Sequence, residues 1–204
     1  MKVKIYVEGG GESSALKTSC RKGFNKLIEK AGLKGYMPRI ISCGSRRRAY
    51  EDFCHALKVA EAGVFIMLLV DSEDPVAPTH GPWTHLLDRQ YDQWACPDDA
   101  DDDNVHLMVQ CMETWFLADK AALAQYYGRN FAKGCLPPNP HIEDIPKLEV
   151  LKGLENATKQ TQKGQYKKGN HSFNLLERVD PAKLRQASPS AERFFKTLLN
   201  KPDK

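Results

Sequence analysis

The 204-residue chain has no apolar run near the roughly 18 residues that a membrane span requires. Its longest, Gly63-Val-Phe-Ile-Met-Leu-Leu-Val70, has the length of a buried strand. It has no CxxC pair. The six cysteines (Cys20, Cys43, Cys54, Cys96, Cys111, Cys135) are scattered, which argues against a zinc site and for free thiols in a reducing compartment. There is no charged n-region, apolar h-region or cleavage site at the start, where a strand pattern already runs. A cytoplasmic location and no membrane partner are therefore expected. Internal repeats and long low-complexity tracts are also missing. Neither sign of charge is scarce: 30 basic residues face 26 acidic ones, for a net charge of +4. Setting aside a handful of acids committed to a site would leave a clear basic excess. A polyanionic partner would suit that excess, and so would a plain solvated basic surface.

What is present reads as alternating strands and helices. Val3, Ile5 and Val7 alternate with Lys2, Lys4 and Tyr6, predicting a strand over about 2–8. A helix is expected from about 12 or 13 to 31, with Leu16, Cys20, Phe24, Leu27, Ile28 and Ala31 on one face and Gly32 as its cap. Residues 38–44 read as a second strand. A second helix opens at Arg46 and carries Tyr50, Phe53, Leu57 and Ala60 inward, with Gly63 ending it. Residues 64–70 read as a strand buried on both faces, the kind a parallel sheet contains. Residues 75–104 are proline-rich loop, with a short helix expected between Thr84 and Trp94. The run Asp98, Asp99, Asp101, Asp102, Asp103 lacks the glycine and closing glutamate of a calcium loop and reads as solvated loop. Residues 105–110 form a fourth strand, and helix is expected to continue to about Tyr127. After a proline-rich stretch comes a lysine-rich segment from Lys147 to Lys168. Asp180-Pro181 and Ser188-Pro189 are helix starts. The last helix should pack Phe194, Phe195, Leu198 and Leu199 back onto the domain.

This alternation predicts a doubly wound, mainly parallel four-stranded α/β sheet with a helical C-terminal extension. Residues 1–130 are expected to form the main domain, and 131–204 a loop-rich and helical segment packed on it. In such sheets the site lies beyond the carboxyl ends of the strands. Five acids fall at such ends: Glu8 and Glu12 after the first strand, Asp71 and Glu73 after the third, Glu113 after the fourth. Each alone has a plainer explanation. Glu8 lies in an ordinary glycine turn, Glu12 suits a helix N-terminus, Asp71-Ser-Glu-Asp is a loop, and Glu113 has lysines to pair with. Together they crowd negative charge, at an expense of the order of a few kcal/mol per close pair. Protonation or bound cations must relieve it. Oxygen ligands without cysteine or histidine point to one or two Mg²⁺ or Mn²⁺ ions.

Val7-Glu8-Gly9-Gly10-Gly11-Glu12, followed by an apolar strand and Asp71-Ser72-Glu73, resembles the Toprim domain. The Glu-Gly-x-x-Glu spacing is most similar to the branch of the overcoming-lysogenization-defect (OLD) nucleases. Met108 to Asp119 and Tyr166-Lys167-Lys168-x-x-His171 are similar to a bacterial Toprim-like family of unassigned function, often encoded beside an AAA/ABC-type ATPase and suspected in phage defence. The resemblance implies metal ligation by Glu8, Asp71 and Glu73, with Glu73 where most Toprim proteins carry aspartate. It also implies Glu12 and Glu113 at a second metal, and Lys168, or next to it Lys167, near the scissile phosphate. Arg46, Arg47, Arg48 and His171 are candidate nucleic-acid contacts, although a solvated helix start and a packed histidine explain them equally well. Trp83 and Trp115 are candidate stacking residues, with core packing the simpler role for Trp115. The expected function is metal-dependent cleavage of DNA or RNA, with an ATPase partner. The alternative is a non-catalytic subunit that binds nucleic acid or nucleotide within an ATPase complex. The sequence leaves a homo-oligomer open.

Overall fold

Four strands form one all-parallel sheet in the order β2-β1-β3-β4: β1 (Lys2–Gly10), β2 (Arg39–Gly44), β3 (Val64–Asp71) and β4 (Val105–Met108). This computed structural model describes residues 2–169 and 171–201. Along β3, Met67 and Leu69 join one apolar cluster while Ile66, Leu68 and Val70 join another. That division is the two-residue alternation of a strand covered on both faces, and it explains why the run tolerates no polar residue before Asp71.

Helix α1 (Ser14–Ile28) covers the first face, burying Cys20, Phe24, Leu27 and Ile28. Helix α2 (Arg46–Lys58) and helix α3 (Pro82–Asp88) cover the second, through Ala49, Phe53, Trp83 and Leu86. The hydroxyls of Ser13 and Ser45 cap α1 and α2 by accepting from the amides of Leu16 and Arg48. The chain then returns to the first face as α4 (Lys120–Tyr127), α5 (Lys147–Thr158), α6 (Ser172–Leu176), α7 (Pro181–Ala187) and α8 (Pro189–Asn200). The first cluster runs without interruption from Ile5 and Phe24 to Leu136, Leu154, Phe173, Phe195 and Leu198. Among the described residues no helix is long and apolar enough to cross a membrane. All six cysteines are free.

Several boundaries differ from expectation. Strand β1 continues past residue 8 to Gly10, because Glu8, Gly9 and Gly10 all oppose Gly44 in a bulged register. Helix α1 stops at Ile28, and a widened turn over Glu29–Leu33 follows with Gly32 at φ 103°. Helix α2 ends at Lys58, so Ala60 is exposed rather than inward, and Gly63 turns the chain into β3 instead of closing the helix. Strand β4 stops at Met108, and the buried segment Met112–Asp119 is a 3-10 coil before α4. The helix near residue 84 ends at Asp88, leaving Tyr91 in the following loop. Helix α5 lay hidden in the lysine-rich segment, although Val150, Leu154 and Ala157 recur at helical spacing and are buried. Asp180 and Ser188 cap α7 and α8 as expected, accepting from Ala182 and Ala191. In α8, Leu199 remains partly exposed while Phe194, Phe195 and Leu198 are buried.

Because one cluster joins β1, α1 and α8, Phe195→Ala should cost about 3–5 kcal/mol, and Leu199→Ala less than about 1 kcal/mol. Urea unfolding of Phe195→Ala should remain one transition, shifted to lower urea, by circular dichroism and tryptophan fluorescence alike. Separate transitions for the two probes would refute the shared core.

Candidate metal centre

Strands β1 and β3 are hydrogen-bonded neighbours in register Val7 to Leu69, so they end side by side. Glu8 thus meets Asp71: its Oε2 accepts from the Asp71 backbone amide at 3.3 Å. The Asp71 side chain is buried, and its Oδ1 accepts from the Met112 amide at 2.8 Å. Glu73 lies two residues past the strand with φ 67°, the left-handed region that a residue with a Cβ rarely adopts. Its amide donates to the Gln110 carbonyl at 2.8 Å, which holds that backbone in place. The result is that Glu8, Asp71 and Glu73 each present a carboxylate oxygen, all within 4.8 Å of one another. The longer glutamate arm therefore reaches the same point as the other two acids, and the group can hold a metal ion.

The glycine turn packs tightly. A Cβ on Gly10 would lie 2.3 Å from the Ser42 hydroxyl and 2.9 Å from the Lys17 Cα. One on Gly44 would lie 2.8 Å from the Gly11 carbonyl oxygen. These residues are glycine so that β1, β2 and α1 can converge, which is a packing demand. A Cβ on Gly11 would meet Leu16 Cδ1 alone, at 3.9 Å, and Gly9, Gly10, Gly11 and Gly44 lie along a cleft of about 300 Å³ that Glu8, Asp71, Lys168 and Ser172 also line.

Cations answer the acids. Lys168 Nζ lies 3.8 Å from Asp71 Oδ2 and 3.7 Å from Glu113 Oε2. Glu113 has no exposed surface. Its Oε1 accepts from the Tyr166 hydroxyl at 2.8 Å, while its Oε2 has no hydrogen-bond partner among the described residues and faces the Lys168 ammonium. The Ser172 hydroxyl lies 2.7 Å from that of Tyr166 and accepts from the Gly169 amide at 3.0 Å, which ties the lysine loop down onto Glu113. Burial alone would lower the Lys168 pKa, but Glu113 and Asp71 outweigh it and hold the ammonium above its ordinary value. Burial raises the Glu8 carboxyl, against the pull of Arg46 and with a further push from Glu73. Burial, then the charges of Glu8 and Glu113, drive Asp71 well above the usual carboxylate range.

Lys147, Asp92, Arg89 and Gln110 carry no signal in the sequence that marks them for this site. Lys147, the first residue of α5, reaches Glu73 Oε2 at 2.5 Å. Asp92 takes a two-pronged contact from Arg46, at 3.0 and 2.6 Å, and a third bond from Arg89 at 3.0 Å. Gln110 accepts from the Lys147 amide at 3.1 Å, tying α5 to the end of β4. Arg46, a candidate nucleic-acid contact or solvated helix start, is instead turned inward onto Asp92, Glu8 and the Asp71 carbonyl. The helix-opening position made it look solvent-facing, but the nearby carboxylates capture it.

The remaining candidates fall elsewhere. Glu12 is exposed, just before the capping residue of α1, and lies outside the cluster of three acids. Arg47 and Arg48 pair along α2 with Glu51 and Asp52. Lys167 is exposed. His171 Nδ1 lies 3.0 Å from the Tyr127 hydroxyl, and burial, aided by Lys163 and Lys167, lowers its pKa. Trp83 and Trp115 are both buried, which removes them as base-stacking platforms.

The family described as a domain of unknown function, DUF4276, matches residues 7–199. The chain belongs to that family. No curated protein and no solved structure matches it. The matched span includes every acid and cation of the cluster, so the site belongs to the family's domain and not to an appendage.

An unfolded aspartate ionises near pH 4, whereas folded Asp71 keeps its proton to higher pH. Its penalty is therefore absent below about pH 4, grows as the pH rises past that value, and is complete above the folded pKa. Without divalent ions, Asp71→Asn should melt about 2–8 °C above wild type at pH 8 and closer to it at pH 4.5. A variant that melts lower at pH 8 would show that Lys168 more than offsets the charge.

Proposed function

We propose that the protein is a Mg²⁺- or Mn²⁺-dependent hydrolase of nucleic-acid phosphodiesters. The observation that carries this reading is the convergence of Glu8, Asp71 and Glu73 oxygens within 4.8 Å at the carboxyl edge of the sheet. Three hard oxygen donors without histidine or cysteine fit such ions. The raised pKa values of Glu8 and Asp71 fit them too: burial is the main cause and the neighbouring carboxylates add to it, and an added cation offsets both. When bound, the ion supplies Lewis-acid stabilisation of charge on a phosphoryl oxygen.

The chain's own residues supply the rest. Arg46 and the Asp71 amide orient Glu8, and Lys147 steadies Glu73. Lys168 stays protonated across the physiological range, opens onto the cleft, and donates to the phosphoryl oxygen that gains charge. Glu113, Tyr166 and Ser172 are positioning residues that hold the lysine loop. This reading agrees with the resemblance to Toprim-like nucleases and extends to a role in phage defence beside an ATPase.

One feature favours a second reading. Glu8, Glu73 and Glu113 already face Arg46, Lys147 and Lys168, so the cluster is partly neutralised without any metal. On that reading the chain is a non-catalytic subunit that binds nucleic acid or nucleotide within an ATPase complex.

Isothermal titration with Mn²⁺, joined to plasmid-nicking and RNA-cleavage assays, separates the two. The hydrolase reading expects Mn²⁺ binding and cleavage in the wild type. Glu8→Gln, Asp71→Asn and Glu73→Gln should abolish both while remaining folded. Lys168→Met should keep Mn²⁺ affinity and lose about 10²–10³-fold in rate. A wild type that takes no Mn²⁺ at millimolar concentration and cuts nothing would leave the subunit reading.

A further inference from the structure

On the α2 side of the carboxylates lies a second cleft, of about 620 Å³, for which Glu73 forms a shared wall. Its size falls within the roughly 300–1,000 Å³ of small-ligand sites. Most of its polar lining is already satisfied. Asp92 is neutralised by Arg46 and Arg89, and Glu73 by Lys147, so a polyanion entering here meets little net repulsion. Trp94 is engaged as well, stacked on Tyr50 with ring centroids 4.3 Å apart and with the Arg46 guanidinium 4.9 Å from its ring.

Two groups in this cleft are not taken up. Tyr91 is 87% exposed and has no ring partner among the described residues. It projects from a pinned loop: the Asp92 and Gln93 amides donate to the Arg89 carbonyl, and the Trp94 amide to that of Leu86. A large ring standing in water on a pinned backbone forfeits apolar burial without the entropy of a loose loop. Arg47, with a side chain 86% exposed, pairs among the described residues only with Glu51 on the surface. Such pairs contribute little, so the guanidinium exchanges readily onto a phosphate.

We propose that this cleft binds an unpaired nucleotide of a single-stranded nucleic acid, with Tyr91 stacking on the base and Arg47 on a flanking phosphate. The proposal rests on the reading of the carboxylate cluster as a phosphodiester site and names its substrate class: single strands or looped-out nucleotides, DNA or RNA. Only an unpaired base offers a free face to an exposed ring, since the faces of a duplex are already stacked. The shared wall at Glu73 sets the stacked nucleotide beside the carboxylates.

The test is fluorescence anisotropy with labelled single-stranded DNA and RNA oligonucleotides of about 12 residues, and with the matching duplex, in EDTA so that nothing is cut. Wild type should bind at least one single strand more tightly than the duplex. Tyr91→Ala should weaken that binding by about 5–150-fold, while Tyr91→Phe stays close to wild type because stacking needs the ring and not the hydroxyl. Arg47→Ala should reduce the slope of log affinity against log salt by about 0.7. Melting curves check that the exposed substitutions leave the fold intact. Equal affinity for duplex and single strand, no measurable single-strand binding, or a Tyr91→Ala protein that binds like wild type would each overturn the proposal. Manganese binding is read separately: its failure with Tyr91-dependent binding retained removes the hydrolase and leaves the nucleotide cleft.

Discussion

A carboxylate that water scarcely reaches, Asp71, lies between two others, Glu8 and Glu113, and the polar end of the molecule is arranged around that charge. An uncompensated buried carboxylate is among the most expensive features a fold can hold. The Met112 amide takes one of its oxygens and Lys168 lies near the other. Lys168 in turn needs Glu113 on its far side, and Glu113 needs the Tyr166 hydroxyl. A chain of dependence thus runs from the end of β3 through the 3-10 coil to the loop before α6. It explains why that loop, far along the sequence, is fastened to the sheet.

A parallel dependence serves the other two acids. Arg46 reaches Glu8 only because Asp92 grips it from behind, and Asp92 is itself shared with Arg89. Lys147 reaches Glu73 because its backbone amide is held by Gln110. Each cation at the site is therefore oriented by a further contact, so that the three carboxylates converge in a set geometry instead of sampling a floppy cluster. Preorganisation of this kind lets charged groups act without rearranging at the moment of reaction.

The legible part of this was local. Glu8 and Asp71 could be found because each follows an apolar strand, and parallel strands put such ends together. The doubly wound sheet could be found because β3 carries no polar residue before Asp71. Glu73 was found as a residue, but its reach depends on a left-handed backbone that no pattern announces at a glutamate. Lys147 and Asp92 are separated in sequence from their partners by 74 and 46 residues, and a lysine-rich segment gives no hint of which lysine turns inward. Arg46 misled for the reverse reason: its position at a helix start reads as exposed, and only the tertiary neighbours draw it in. Helix α5 was obscured by its lysines, although Val150, Leu154 and Ala157 were there to be read.

The strand order has a dynamic side. β1 and β3, which carry Glu8 and Asp71, are the inner pair of the sheet, while β2 and β4 form its edges. Inner strands are bonded on both flanks and lie at the high-stability end of local opening, where edges fray first. The cluster is therefore insulated from the commonest fluctuations of its own scaffold. Breathing at β2 or β4 loosens the rims of the clefts while the spacing of Glu8 and Asp71 stays put, so ligand entry and carboxylate geometry can vary on separate timescales.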